Sequence, residues 1–345
     1  MLKRTVVSTK GARQWQGIPS IERAANGRLW CAFFTGGSHE PQPENYVVVT
    51  TSTDEGAGWE EPRTLVGGFG GTIPIPNGGN WVMSPNSRVF DPCLWHDPSG
   101  RLWLFYNRAN LEQADHTLWA ITTTGSDIRA PEWSEPRQID IGVPFAFRLN
   151  KPTVLTSGAW LLPVTWAREA PGDWFAGDKQ LQGVAISTDQ GDTWALHGAV
   201  EAPAWALENM ILERTDGALL MLMRTGAGVL WQSHSADGGL TWSPGSPTDI
   251  VNPGVRFFLR RLASGRVLLI NTPNPRERTT MYAYLSDSDD GLGWGEGLLL
   301  DERQSVSYPD AVQAPDGTIH VVHDCDRQGV GEILYRSFSE EDVDR

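Results

Sequence analysis

Six segments of this 345-residue chain run into a turn closed by glycine, and a fixed place ahead of that glycine carries reactive residue types. Nine positions before Gly100, Gly217, Gly265 and Gly317 stand Asp91, Glu208, Arg256 and Tyr308. Ile18 holds the same place before Gly27, and Lys151 the matching one before Gly158, where the turn is shorter. Two carboxylates, two cations and a phenol in one register suit proton transfer and the grip of a polar ligand. Unlike charges within a few ångström of each other would favour both charged forms. The plainer alternative for the set is a polar plug that solvates a channel.

What must bring these residues together is a repeated sheet. Apolar runs at residues 29–33, 102–105, 160–162, 219–222, 267–270 and 319–322 leave the six turns, so each unit reads as a hairpin. A second motif follows the hairpins. Ser187, Asp189, Gly191, Thr193 and Trp194 make a full Asp-box, and Ser235, Asp237, Gly239, Thr241 and Trp242 make another. Ser52, Asp54, Gly56 and Trp59 form a third, with Gly58 in place of Thr, and Asp289, Gly291 and Trp294 a looser fourth. A worn copy in the second unit ends at Trp133, and the sixth unit has none. The Asp is expected to accept backbone amides two residues on, Gly to supply positive φ, and Trp to fold over the hairpin. A fixed turn recurring at roughly 50 residues implies one sheet per repeat. The expectation is an all-β, six-bladed β-propeller over residues 1–345, with a strand near residues 2–8 closing the last blade and removing an exposed edge. Inner strands of such a ring run the same way, so their starts share one mouth.

Composition narrows the partners. A net charge of −14 argues against nucleic acid or an anionic membrane. Cys31, Cys93 and Cys325 lack metal-ligand spacing and read as buried thiols. No cofactor and no metal are expected. The N-terminus has no apolar stretch long enough for a signal peptide, and no window reaches the ~20 apolar residues of a membrane helix, so a soluble cytoplasmic protein is expected.

The most specific stretch is Glu208, then Asp216-Gly217, then Arg224 sixteen residues after the glutamate. With Arg278 ahead of residues 282–286 and Tyr308 ahead of Asp316-Gly317, the chain resembles the sialidase superfamily over nearly its whole length. The resemblance is strongest to bacterial sialidase-like proteins with BNR (Asp-box) repeats. It implies Tyr308 as nucleophile, Glu208 as its activating base, and Arg224 and Arg278 as the second and third arginines of a carboxylate clamp. Two departures stand out. Where the family reads Phe-Arg-Ile-Pro this chain reads Gln16-Gly17-Ile18-Pro19, so Gly17 replaces the first clamp arginine. The loop at residues 35–45, where the family carries an acid/base aspartate, has His39, Glu40 and Glu44 instead. Arg256 and Lys151 are additional cations. Loss of one charge-paired arginine against a carboxylate costs ~2–5 kcal/mol. The expected activity is therefore exo-acting hydrolysis of a glycoside or oligosaccharide whose terminal sugar, acidic or not, need not be N-acetylneuraminate.

A free tyrosine has a pKa of about 10, so a carboxylate must take its proton as it attacks. Sialidases are the tyrosine-nucleophile exception among glycosidases. Asp91, Glu40 or Glu44, with a raised pKa, would protonate the leaving oxygen. Two rival readings remain: a lyase in which Tyr308 or His39 abstracts a proton beside a uronate, and a non-catalytic glycan-binding propeller. Trp15, Trp81, Trp174 and Trp205 fall in loops and suit stacking on sugars. The glycine-rich stretch at 67–79 reads as a lid. Residues 323–327 (His-Asp-Cys-Asp-Arg) read as the exit of a strand rather than as a metal site.

Overall fold

The structure, a computed structural model, describes residues 3–67, 72–74, 80–82, 87–110, 116–147, 150–169, 180–286, 288 and 291–344. Leu2, Trp174, Asp289, the Trp81 side chain and most of the glycine-rich stretch lie outside the described residues. Regular structure among those described is strand throughout, apart from the short helix Glu340–Val343. The fold is all-β. The chain divides into two compact units, Met1–Gln138 with Tyr308–Ser339, and Ile139–Ser307 with Glu340–Arg345.

The first unit holds a sheet of Gln16–Arg23, Leu29–Thr35, Tyr46–Ser52 and Arg63–Val66, paired in chain order. A second ladder runs Ser87–His96, Leu102–Asn110, His116–Thr123. A third sheet pairs Val306–Gln313, Ile319–Cys325 and Glu332–Phe338, and its fourth strand is Lys3–Thr9, antiparallel to Glu332–Phe338 with Lys3 opposite Ser337. In the second unit, Ala206–Glu213, Leu219–Thr225, Val229–Ser235 and Ser246–Val251 form one four-stranded sheet. Phe258–Arg261, Val267–Asn271, Thr279–Ser286 and Leu298–Gln304 form another. Trp160–Ala167, Leu181–Ser187 and Ala195–Val200 pair in turn, with Thr153–Val154 on the free side of Trp160–Ala167.

Burial explains why these runs are strands. Leu29–Thr35 and Leu219–Thr225 are buried at every position, which suits short continuous apolar runs. Farther out, Thr279–Ser286 alternates, with Met281, Ala283 and Leu285 inward. Each unit has its own core. Val7, Ile21, Leu29, Phe33, Val322, Ile333 and Tyr335 cluster in the first, Leu161, Val184, Ile211, Leu219, Met221 and Met223 in the second. The three cysteines are buried and free, and burial, then the Asp310 charge, pushes the Cys31 thiol well up.

All six glycine turns have the same geometry. The amides of Gly27, Gly100, Gly158, Gly217, Gly265 and Gly317 each donate to the carbonyl three residues back at 2.8–3.0 Å, with φ between 81° and 91°. Only glycine takes that φ without a Cβ clash. The Asp-boxes differ from expectation in one respect. Asp189 and Asp237 accept the amides of Thr193 and Thr241, four residues on rather than two, each at 2.9 Å. In the third copy Asp54 accepts Gly58 N at 2.9 Å. The serine takes the inner amide: Gly56, Gly191 and Gly239 donate to Ser52, Ser187 and Ser235 Oγ at 3.0, 2.8 and 2.9 Å. Each serine hydroxyl in turn donates to its aspartate, at 2.7–2.8 Å. The box is thus a two-tier clasp, serine inside and aspartate outside.

Thr193 and Thr241, through hydroxyl and amide, and then the serine, hold Asp189 and Asp237 at about 2, below the ordinary 3.8. A depressed folded-state pKa stabilises above the ordinary value, and that contribution is lost as pH falls through about 4 to 2. We expect the melting temperature of the wild type to fall more steeply over that window than that of the Asp189→Asn/Asp237→Asn double variant. Parallel curves by circular dichroism would refute the clasp's part in acid sensitivity.

Candidate active site

The register read from the sequence coincides with a backbone feature. Ile18, Asp91, Glu208 and Tyr308 all have positive φ, at 56°, 50°, 52° and 56°. In three of these hairpins the strand pairing slips at that point, between Gly17 and Ser20, Phe90 and Cys93, and Leu207 and Met210. The residue sits in a β-bulge, which bends the strand and re-aims one side chain. Isoleucine in this region is a marked outlier, because a β-branched side chain crowds its own backbone. Lys151 and Arg256 lack the positive φ, so the device serves four of the six places.

Buried side chains hold the bulged strands. In the first unit, Asp310 Oδ2 accepts Ser20 Oγ at 2.6 Å and Ile21 N at 2.8 Å, and Ser20 Oγ accepts Leu94 N at 2.9 Å. Strands of three sheets are tied together by these bonds. The Ile18 amide donates to Asp324 Oδ2 at 2.8 Å. In the second unit Asn209 Nδ2 donates to Val164 O at 2.9 Å, and Thr165 Oγ1 accepts Glu208 N at 3.1 Å while donating to Gln182 at 2.9 Å.

Around Tyr308, which is only 4% exposed, the first unit gathers Arg327, Glu40, Asp324, Asp91 and Trp15. The Arg327 guanidinium lies 4.8 Å from the phenol ring centroid and 5.9 Å from that of Trp15. Its Nη1 donates to Glu40 Oε1 at 2.6 Å, and its Nε is 3.6 Å from Asp324 Oδ2. Burial alone would lower the Arg327 pKa, but Asp324, Glu40, Tyr308 and Asp91 outweigh it and raise it. Asp91 is buried and accepts Asn107 Nδ2 at 3.4 Å. His39 is exposed, with Nδ1 3.0 Å from Ser38 Oγ, and Glu44 is half-buried in the adjoining turn.

In the second unit Glu208 and Arg224 are both buried and paired, Oε2 to Nη1, at 2.5 Å. Arg224 Nε donates to Gly254 O at 2.8 Å, and Arg278 Nη2 reaches the same carbonyl at 3.4 Å. The Arg224 guanidinium also sits 5.1 Å from the Trp205 ring centroid. Glu208, Arg224, Arg278 and Trp205 thus lie together around the Gly254 carbonyl and the ion pair. Lys151 and Arg256 are buried in the same unit.

Arg327 is the residue that sequence reasoning missed. In sequence, residues 323–327 read as the exit of a strand rather than as a metal site, yet this stretch supplies the guanidinium over Tyr308. The signal lay elsewhere, in Gly17. A Cβ there would fall 2.2 Å from Arg327 Cδ and 3.0 Å from Cγ, so the bare glycine makes room for the arginine stem.

Removing one partner of a buried ion pair strands the other charge, at a cost of about 3–5 kcal/mol, whereas replacing both by apolar groups is far milder. Arg224→Met should therefore lower the urea unfolding free energy by that amount, and Arg224→Met with Glu208→Leu should recover most of it. Equal losses in the single and double variants would show that the pair is not an isolated buried couple.

Comparisons with known proteins bear on the family and the fold. The family model described as BNR repeat-like domain matches residues 27–321. Among solved structures, the Hadza microbial sialidase Hz136 superposes with a TM-score of 0.78 at 19% identity, covering 99% of this chain and 69% of that one. The NanB sialidase from Streptococcus pneumoniae gives 0.75 at 16%, covering 98% and 71%. The intramolecular trans-sialidase from Ruminococcus gnavus gives 0.74 at 16%, covering 98% and 97%. No curated protein matches. Over nearly all of its length the chain shares the fold of these solved structures, and the matched family model spans most of it: the protein belongs to the BNR repeat-like domain family.

Proposed function

We propose that the protein is an exo-acting glycoside hydrolase built as a six-bladed propeller, with Tyr308 as nucleophile and Glu208 as its base. The observation that carries this reading is the shared left-handed backbone conformation. One backbone conformation sets Asp91, Glu208 and Tyr308 at equivalent places on their strands, and each unit adds a guanidinium, half-buried Arg327 on the phenol and buried Arg224 on the carboxylate. A strained conformation repeated under the reactive residue types is a functional signature, because each instance costs about 1–3 kcal/mol. The structural relatives named above are two sialidases and a trans-sialidase, which supports the same class.

In the proposed reaction the Tyr308 oxygen attacks the anomeric carbon and its proton passes to Glu208. The glycosidic C–O bond breaks, and a carboxylic acid, with Asp91 the first candidate, protonates the departing oxygen. Water then cleaves the tyrosyl–sugar bond, with the proton transfers reversed. A phenol suits this role beside an anionic sugar, since it approaches without like-charge repulsion. Arg224, Arg278, Arg256 and Lys151 form the cationic side of the binding surface in this scheme. Glu40 and His39 are assigned to binding, and Glu44 is the reserve acid.

Conservative variants test it. Tyr308→Phe and Glu208→Gln, the latter keeping an acceptor for Arg224, should each cut turnover of a responsive 4-methylumbelliferyl glycoside by roughly 10²–10⁴-fold. Melting should stay within a few degrees. Unimpaired turnover in either variant would overturn the assignment. Products absorbing near 235 nm, roughly where an unsaturated uronate absorbs, would instead identify a lyase, since acid–base hydrolysis leaves no new double bond.

A further inference from the structure

We propose that Glu40 and Arg327, packed over Gly17, form a subsite beside Tyr308 that takes a hydroxyl of the ligand rather than a carboxylate. The inference rests on the reading above only in taking a sugar as the ligand. Its starting point is the glycine. Any side chain at position 17 would occupy the place of the Arg327 stem, so the guanidinium reaches the Tyr308 ring because Gly17 is bare.

The charge of that guanidinium is already matched. Asp324 is fully buried and fixed by its bond to the Ile18 amide, so it is a permanent counter-ion at 3.6 Å. Glu40 adds a second carboxylate at 2.6 Å. With Asp91 also acting on Arg327, this side of Tyr308 carries an excess of negative charge. A further anion would meet repulsion there, since like charges near a buried site disfavour each other.

Two polar atoms point to what fits instead. Glu40 Oε1 is engaged by Arg327, but Oε2 is buried with no donor in the structure. Trp15 is fully buried, and its Nε1–H has no acceptor. Both belong to residues that touch Arg327. Buried polar atoms left unmatched are costly, and an ionised carboxylate only accepts while an indole only donates. Hydroxyl groups do both, so they can answer either atom. A ligand carboxylate has no proton to give to Glu40. An acidic group on the sugar, if present, is directed to another part of the surface.

The test uses pairs of methyl glycosides and methyl glycosiduronates in the gluco, galacto and manno series, which differ only in the carboxylate at C6. Dissociation constants are measured by titration calorimetry or ligand-observed NMR for the wild type, Glu40→Gln and Gly17→Ala. Glu40→Gln, an isosteric change on a half-exposed loop, should shift the affinity ratio at least tenfold toward the acidic member of a pair. Gly17→Ala, by displacing the Arg327 stem, should weaken the neutral member at least fivefold. An unchanged ratio in Glu40→Gln, or no binding of any probe to the wild type, overturns the subsite. Probes that bind but no glycoside that turns over would sink the hydrolase reading and leave the subsite standing.

Discussion

A side chain can be aimed by its rotamer or by its backbone, and in this protein the backbone does the aiming. Four hairpins carry, on their first strands, a residue in the left-handed region, and three of these are Asp91, Glu208 and Tyr308. Each such residue costs about 1–3 kcal/mol, so the surroundings must over-determine it. They do so by fully buried hydrogen bonds. Asp310 and Ser20 fasten three strands of one unit, and Asn209, Thr165 and Gln182 fasten strands of the other. Ile18 shows that the device belongs to the frame, since it persists where the side chain has no chemistry and the amide is held by Asp324. The candidate site is thus a modification of a repeated structural joint.

The two units differ in electrostatic character. The first surrounds its phenol with Asp91, Glu40 and Asp324 against the single guanidinium of Arg327. The second sets Glu208 against Arg224, with Arg278 on the same carbonyl and Lys151 and Arg256 buried in the same unit. A chain of strongly negative net charge therefore keeps a local concentration of cations, which bulk composition could not reveal.

Much of this was legible in the residues because the fold is repetitive. The glycine that closes each hairpin marks a turn that favours glycine, and all six such turns share one geometry. The Asp-boxes could be read as turns, but their hydrogen bonds could not, since the serine's share depends on where its hydroxyl lies. Glu208 and Arg224 could be singled out together through the family resemblance, which gives them separate roles, but their ion pair is visible only in the structure. Arg327 could not be read the same way. Its role depends on an absent side chain at Gly17, 310 positions earlier in the sequence by subtraction of the two numbers, and no local pattern records an absence.

The pairing of Lys3–Thr9 with Glu332–Phe338 has a consequence for biosynthesis. Lys3–Thr9 is synthesised long before its partner. Until Glu332–Phe338 emerges, the earlier strand has an unfilled row of amides and carbonyls, and the unit containing it cannot be finished. Contacts between such distant stretches of sequence are slow to form, which leaves nascent chains open to off-pathway association. Any delay in the release of Glu332–Phe338 would prolong that exposure, whereas the contiguous stretch between the two halves can organise while synthesis continues.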